Sequence, residues 1–392
     1  MPEPPWQPMF LGLVGLLTGS VATALASGTI IAQPNPAQPP TTAPSPGIGS
    51  IASSPLRPVT IKFPVGMDAQ IWGGRGLPGD RAALLQAIDY SLQYLQTPKA
   101  VEDYGKNPLP GVTRDRVQRS LSRFRQLVVA SRSALALQKA VEKEFTFYQS
   151  VGKDGQGKVA FTGYFEPVHR ASRVPTAIFR YPLFRLPPDL ATWPKPHPTR
   201  SQLEGEDGLQ YSQGQLKGLE LVWLADRLEA FLVQVQGSAR LQLTDGTTMT
   251  VGYGGATDYP YTGIGRELVR DGKLRLEDLT LPAVVQYFQQ NPQDLNLYLP
   301  RNQRFIFFKE TGGAPALGRL NFPVTPERSI ATDKVLFPAG ALAVIQTSMP
   351  YPNRNGQLEQ RDVTRYVLNQ DTGGAIIGPG RVDIFMGRGQ QA

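Results

Sequence analysis

The chain has 392 residues, of which 18% are charged, and 40 Lys and Arg against 32 Asp and Glu give a formal net charge of +8. It contains no cysteine and only two histidines, His169 and His197, both in Pro/Arg-rich stretches that read as surface loops. This composition leaves room for two or three domains, excludes a disulfide frame, a thiol nucleophile, Cys-ligated metal and a lipid-bearing N-terminal cysteine, and argues against a His triad or multi-His metal site.

At the N-terminus, Met9 to Ala32 reads "MFLGLVGLLTGSVATALASGTIIA" without a charge, and a Pro/Ala/Ser/Thr-rich tract follows to about Pro58. The segment is an export signal or a single membrane anchor, and the tract is a flexible linker. "Ala24-Leu25-Ala26" fits a cleavage site, whereas the absence of Lys or Arg before it and its length fit a retained anchor, so both readings stay open. Either way the body is expected outside the cytoplasm, in the periplasm or cell envelope. Residues 1–58 hold one acid, Glu3, and one base, Arg57, so the excess positive charge belongs to the remainder. A basic surface suits polyanions in general, but no Lys/Arg run with interleaved aromatics is present, which argues against nucleic acid.

"DRAALLQAIDYSLQYL", residues 80–95, places Leu84, Leu85, Ile88, Leu92 and Leu95 on one stripe and predicts a core-facing helix capped by Asp80. Val117, Leu121, Phe124 and Val128, then Leu135, Val141 and Phe145, predict two more helices between Thr113 and about Tyr148. "GRGLPG", Gly74 to Gly79, matches G-x-G-x-x-G but contains Pro78 and lacks a βαβ context, so it reads as a turn rather than a nucleotide site.

From Val159 the periodicity is that of strands. "VAFTGYFEPV", "RYPLFRLP", "LELVWLADR" and "EAFLVQVQGSARLQLTDGTTMTVGYGG" read as short β segments, with a hairpin at Asp245-Gly246. Helical patterns return at Ile264–Arg270 and Leu281–Gln290, and "RFIFFKE", "ALAVIQT" and "RYVLNQD" read as strands. The expected fold is α+β, mainly β with a helical N-terminal part. The expected organisation is a signal or anchor (1–32), a linker (33–58), helices (59–158), an inserted β-barrel domain (159–255) and a second β-barrel part (256–392).

Polar residues sit among these strands in a way that suits a sugar groove, which needs flat aromatic faces and planar amide or carboxylate groups. "FTGYFEP" (Phe161–Pro167), "VQVQGS" (Val233–Ser238), "GYGGATDYPYTGIG" (Gly252–Gly265) and "IATDK" (Ile330–Lys334) supply Tyr, Gln, Thr, Asp and glycine. Gln234 and Gln236 equally fit hydrogen bonding within a sheet. "DTGGAIIGPGRVDIF", residues 371–385, adds two carboxylates, Asp371 and Asp383, among glycines that permit sharp turns and close approach.

Together with "VQVQGSARLQLTDG", "NQRFIFFKE", "ATDKVLFPAGALAV" and "DTGGAIIGPGRVDIFMGRG", these blocks resemble the membrane-bound lytic murein transglycosylase A family over roughly Phe161 to Gly389. The resemblance implies cleavage of the β-1,4 bond between N-acetylmuramic acid and N-acetylglucosamine in peptidoglycan, leaving a 1,6-anhydromuramoyl end, without metal or organic cofactor. It implies a double-psi β-barrel domain and an inserted second β-barrel domain flanking a deep groove. It places the single catalytic acid at Asp383, a second acid beside it at Asp371, and groove contacts at Asp333, Thr162, Tyr164, Gln236, Ser238, Tyr253, Gly373 and Gly374. One carboxylate suffices because the sugar's own C6 hydroxyl replaces water: Asp383 acts as acid and then as base. Val382, Ile384, Phe385 and Asp371 would favour a protonated Asp383, and Arg381, on the same strand face, would oppose it. Many members carry a lipid on an N-terminal cysteine; lacking one, this chain would be held at a membrane only through residues 9–32. The expected partners are peptidoglycan strands and other wall enzymes. An inverting hydrolase with Asp371 as base, and a noncatalytic wall-binding protein, are the alternatives.

Overall fold

The computed structural model describes residues 54–60, 65–74, 78–106, 109–353 and 357–389. The apolar stretch 9–32 lies outside them, as does the linker up to residue 53; among the described residues no helix is long and apolar enough to cross a membrane.

Strand β1 (Leu56–Val59) precedes four helices, α1 (Arg81–Leu95), α2 (Pro98–Gly105), α3 (Arg114–Ala130) and α4 (Ala134–Glu144), and then β2 (Phe147–Ser150). Thr97, Thr113 and Ser133 cap α2, α3 and α4, each side chain accepting from a backbone N–H of the first turn. The short α2 was not expected; Thr97-Pro98 is a start signal, but Ala100 is its one buried residue, too little for a periodic pattern. In α1, Leu84, Ile88 and Leu95 are buried, and Leu85 and Leu92 pack against the same core with Leu121, Phe124 and Tyr366. Asp80 occupies the cap position but spends its carboxylate elsewhere, on the Arg328 guanidinium at 2.8 and 2.6 Å. Leu135 is exposed, and Leu137 takes the buried place expected for it.

Next come β3 (Ala160–Glu166), β4 (Val168–Ser172), β5 (Tyr181–Phe184), α5 (Arg200–Glu204), β6 (Glu220–Leu224), α6 (Arg227–Gln236), β7 (Ser238–Leu243) and β8 (Thr248–Ala256). The sequence expectation fails at α6. "RLEAFLVQVQ" alternates like a strand, yet it is a helix, capped by Asp226 through the Glu229 N–H and closed by Gly237 at φ 77°. The hairpin at Asp245-Gly246 joins β7 and β8, with Gly246 at φ 83° and Asp245 accepting from the Thr247 N–H at 2.8 Å. The chain continues through α7 (Ile264–Arg270), α8 (Leu281–Gln290), α9 (Leu295–Tyr298), β9 (Ile306–Glu310), β10 (Ser329–Ala331), β11 (Leu342–Pro352), β12 (Leu358–Asp371) and β13 (Arg381–Arg388). The histidines are not surface loop residues: His169 lies in β4 beside Glu229, and His197 is buried with Nδ1 accepting from the Asp258 N–H.

The chain forms two compact units. One is Thr162–Leu317 with the stretch from Phe385; its sheet runs β5-β6-β4-β7-β8-β9, and its core includes Leu183, Val222, Leu241, Val251 and Phe308. It extends past the boundary expected at 255 because β9 pairs antiparallel with β8. The other unit comprises the described residues up to Phe161 with Gly318–Ile384, and packs α1, α3 and α4 around Leu84, Phe124, Val344 and Tyr366. The second large sheet runs β11-β12-β10-β13-β3. The fold is therefore α+β, mainly β, with α1–α4 as a helical part ahead of the two large sheets and α5–α9 between their strands.

Candidate active site

The short strand β10 organises the acids. It runs parallel to β12 on one side and antiparallel to β13 on the other. A register shift in β12 sets Ala331 opposite Asp371, and β13 sets the same Ala331 opposite Asp383. The two acids thus flank one alanine across three adjacent strands, about 10 Å apart at the backbone from ordinary strand spacing.

Each acid is held differently. Asp371 Oδ1 accepts from the N–H groups of Thr372 at 2.8 Å and Arg319 at 3.0 Å. Its carbonyl accepts from the Thr332 N–H at 3.2 Å, and the Thr372 hydroxyl donates to the Thr332 carbonyl at 2.9 Å, so the end of β12 is laced to the end of β10. Asp333 follows at once, and both its oxygens are engaged: Oδ1 by the Val335 N–H at 2.9 Å and Oδ2 by the Gly378 N–H at 2.7 Å. Asp383 lies within β13, half-exposed, between half-buried Val382 and buried Ile384. Strand alternation puts Arg381 and Phe385 on its face, and Arg381 Nε is buried without a hydrogen-bond acceptor among the described residues.

The loop joining Asp371 to β13 has an open tip and a fixed base. Gly373, Gly374 and Ala375 are exposed, while Ile376 turns in and is buried, its N–H donating to the Gly373 carbonyl at 3.0 Å. At the base Gly378 adopts φ 85°, the Pro379 carbonyl accepts from the Ser150 hydroxyl at 2.6 Å, and the Gly380 carbonyl accepts from the Ala160 N–H at 2.9 Å. A Cβ on Gly380 would stand 2.5 Å from the Lys153 nitrogen, so only glycine fits this approach. Ser150 carries no signal in the sequence, because its role depends on a partner 229 residues away.

The remaining expected residues belong to the unit built on Thr162–Leu317. Thr162 is buried in β3, and the ring of half-buried Tyr164 packs on Phe385 with centroids 5.2 Å apart. Gln236 ends α6, and its Oε1 accepts from the Phe165 N–H at 3.3 Å, which ties the helix end to β3 rather than bonding within a sheet as read. Ser238 opens β7 opposite Gly252, and Tyr253 follows on β8 with half its surface exposed, at an irregularity in pairing with β9. Gln234 is not a groove residue: it is buried and accepts from Arg200 Nη2 at 2.8 Å.

Residues 160–309 match the MltA specific insert domain, and residues 328–392 match the 3D domain. The chain belongs to the membrane-bound lytic murein transglycosylase A family. A Vibrio cholerae member, a membrane-bound lytic murein transglycosylase A, is 31% identical over 245 residues, 62% of each chain. The match thus spans less than two thirds of that relative. The fold is shared with the membrane-bound lytic murein transglycosylase of Agrobacterium tumefaciens, at a TM-score of 0.60 and 23% identity over 79% of this chain and 87% of that one. It is shared also with E. coli MltA bearing chitohexaose, at a TM-score of 0.58 and 24% identity over 78% and 84%.

Proposed function

We propose that this protein is a peptidoglycan lytic transglycosylase in which Asp383 is the single acid and base. Its proton passes to the glycosidic oxygen as the bond from C1 of N-acetylmuramic acid breaks. The resulting carboxylate then takes the proton of the C6 hydroxyl as that oxygen bonds to C1, closing the 1,6-anhydro ring. No water enters and Asp383 ends protonated, so one residue completes the cycle. The observation that carries this assignment is the placement of Asp383: half-exposed between half-buried Val382 and buried Ile384, it stands on β13 opposite Ala331, with Asp371 opposite the same residue from β12. Asp333, by contrast, spends both carboxylate oxygens on backbone N–H donors, which suits it to holding a loop.

The family of the chain and the chitohexaose bound by the E. coli relative support a glycan as substrate. Tyr164, Tyr253, Thr162, Gln236 and Ser238, with Gly373 and Gly374, are the proposed sugar contacts. The net charge of +8 favours a polymer bearing stem-peptide carboxylates. The protein is proposed to be exported to the cell envelope, with residues 9–32 as signal or anchor.

The spacing of Asp371 and Asp383 favours one second reading. Inverting hydrolases set their carboxyl groups about 6.5–9.5 Å apart to admit water, and flanking positions on either side of Ala331 are compatible with that. Mass spectrometry of the products from purified peptidoglycan decides between them. Disaccharide-peptides one water lighter than hydrolysis products, formed by the wild type and absent with Asp383→Asn, are expected. Fully hydrated products that also vanish with Asp371→Asn would replace the proposal with the hydrolase.

A further inference from the structure

We propose that Asp333 is a positioning residue, which sets the aim of Asp383 by clamping the base of the Thr372–Gly380 loop. Its expected role, from the family resemblance, is to line the groove. The geometry points elsewhere: Oδ1 takes the Val335 N–H at 2.9 Å, within its own turn, and Oδ2 takes the Gly378 N–H at 2.7 Å, across 45 residues of chain. One carboxylate therefore fixes the turn that leaves β10 and the loop that enters β13.

The clamp acts next to two others. Gly378, Pro379 and Gly380 are consecutive, and each is tied to a different segment: Asp333, Ser150 and Ala160. Asp383 follows three residues later, near the start of β13. Beyond this base the loop is largely exposed: Gly373 to Ala375 face solvent, and Ile377 is 74% exposed, with Ile376 alone turned in. A glycine-rich loop with φ 85° at Gly378 has many alternative conformations, and only its anchors select one. A displacement of about 1 Å in a reacting group costs about 100-fold in rate, so an anchor at Gly378, five residues from the acid, bears on turnover rather than on substrate affinity.

This inference rests on Asp383 as the acid, and the test separates the two. Asp333→Asn keeps the shape but puts an NH2 where an acceptor was, against an N–H donor. Hydrogen–deuterium exchange of the full-length protein is read on peptides covering residues 372–380, and kcat and KM are read on purified peptidoglycan. Faster exchange confined to that loop and the adjoining turn is expected, with kcat down about 10- to 100-fold and KM within about twofold of wild type. Ser150→Ala, which frees the neighbouring Pro379 carbonyl without altering any acid, should give the same signature to a lesser degree and guards against misfolding of the first variant. Unchanged exchange in Asp333→Asn, or a raised KM with kcat kept, would overturn the proposal, the latter in favour of direct sugar contact. A wild-type protein that releases no anhydro product would sink the catalytic reading instead, while the exchange data would still report on the clamp.

Discussion

The two ends of β10 use carboxylates in opposite ways. Immediately before the strand, Arg328 is fully buried: Nε and Nη2 reach Asp80, and Nη1 reaches Asp68 and the Tyr366 carbonyl. Asp68, also fully buried, accepts from the Tyr366 N–H at 2.9 Å, and Arg365 lies 3.5 Å away. Burial works against the Arg328 charge, but Asp68 and Asp80 outweigh it and hold its pKa above the ordinary arginine value. Immediately after the strand, Asp333 and Asp371 meet backbone N–H groups, and Asp383 stands across Ala331 in a half-exposed position. Carboxylates locked to guanidinium at one end serve as rivets. At the other end Asp333 and Asp371 accept from backbone N–H groups, which fix the course of a loop rather than join two distant charged side chains.

If this contrast is sound, mutations at the two ends separate activity from stability. The largest effect is expected from Asp383→Asn: loss of transglycosylation by about 10²–10⁴-fold, the range of general acid–base catalysis, read on protein shown by circular dichroism to be folded. Measurable turnover in that variant would break the comparison. At the other end, Asp68→Asn leaves Arg328 buried with one partner missing, and chemical denaturation should show a loss of about 3–5 kcal/mol, with kcat per folded molecule preserved. Gly380→Ala must displace the Lys153 backbone and should cost about 1–3 kcal/mol, accompanied by a fall in kcat because the strain falls just ahead of Asp383. The smallest effect concerns pH. Burial raises the pKa of Asp103, but hydrogen bonds from Tyr94 and Lys99 and the charge of Arg319 leave it below the ordinary carboxylate value. Its contribution to stability is therefore complete above the unfolded pKa of about 3.9, and is lost as pH falls through the lower folded value. Denaturation curves of wild type and Asp103→Asn should converge as the pH is lowered through that window, whereas a gap that widens would contradict the sign.

Much of this arrangement is legible in the chain, and the boundary of legibility has a physical cause. Helices α1, α3, α7 and α8 and the β7–β8 hairpin follow from apolar period, caps and the Asp-Gly turn, all signals within a few residues. Helix α6 misleads because Phe231, Val233 and Val235 alternate as in a strand; its cap at Asp226 and stop at Gly237 carry the better evidence. The three acids stand out through the glycine-rich blocks around them. What each acid does is another matter, since the Asp333–Gly378 bond spans 45 residues and the Arg328–Asp68 pair 260. No local pattern encodes a partner at that distance. The burial of His197 escapes for the same reason, because the Asp258 N–H it accepts from lies 61 residues on.

The division of the chain also orders its assembly. The unit carrying the acids is split, with residues before Phe161 packing against residues after Gly318, whereas the other unit is dominated by one long stretch, Thr162–Leu317, to which only the short stretch from Phe385 is added. A long stretch can condense from contacts nearer in sequence, while the split unit has to close pairs as distant as Asp68 and Arg328, 260 residues apart, and so faces the greater entropy of loop closure. The acidic end of β10 is then expected to form after the long stretch Thr162–Leu317 has condensed. The order of the residues thus places all three acids in the part of the chain that must close its longest loops.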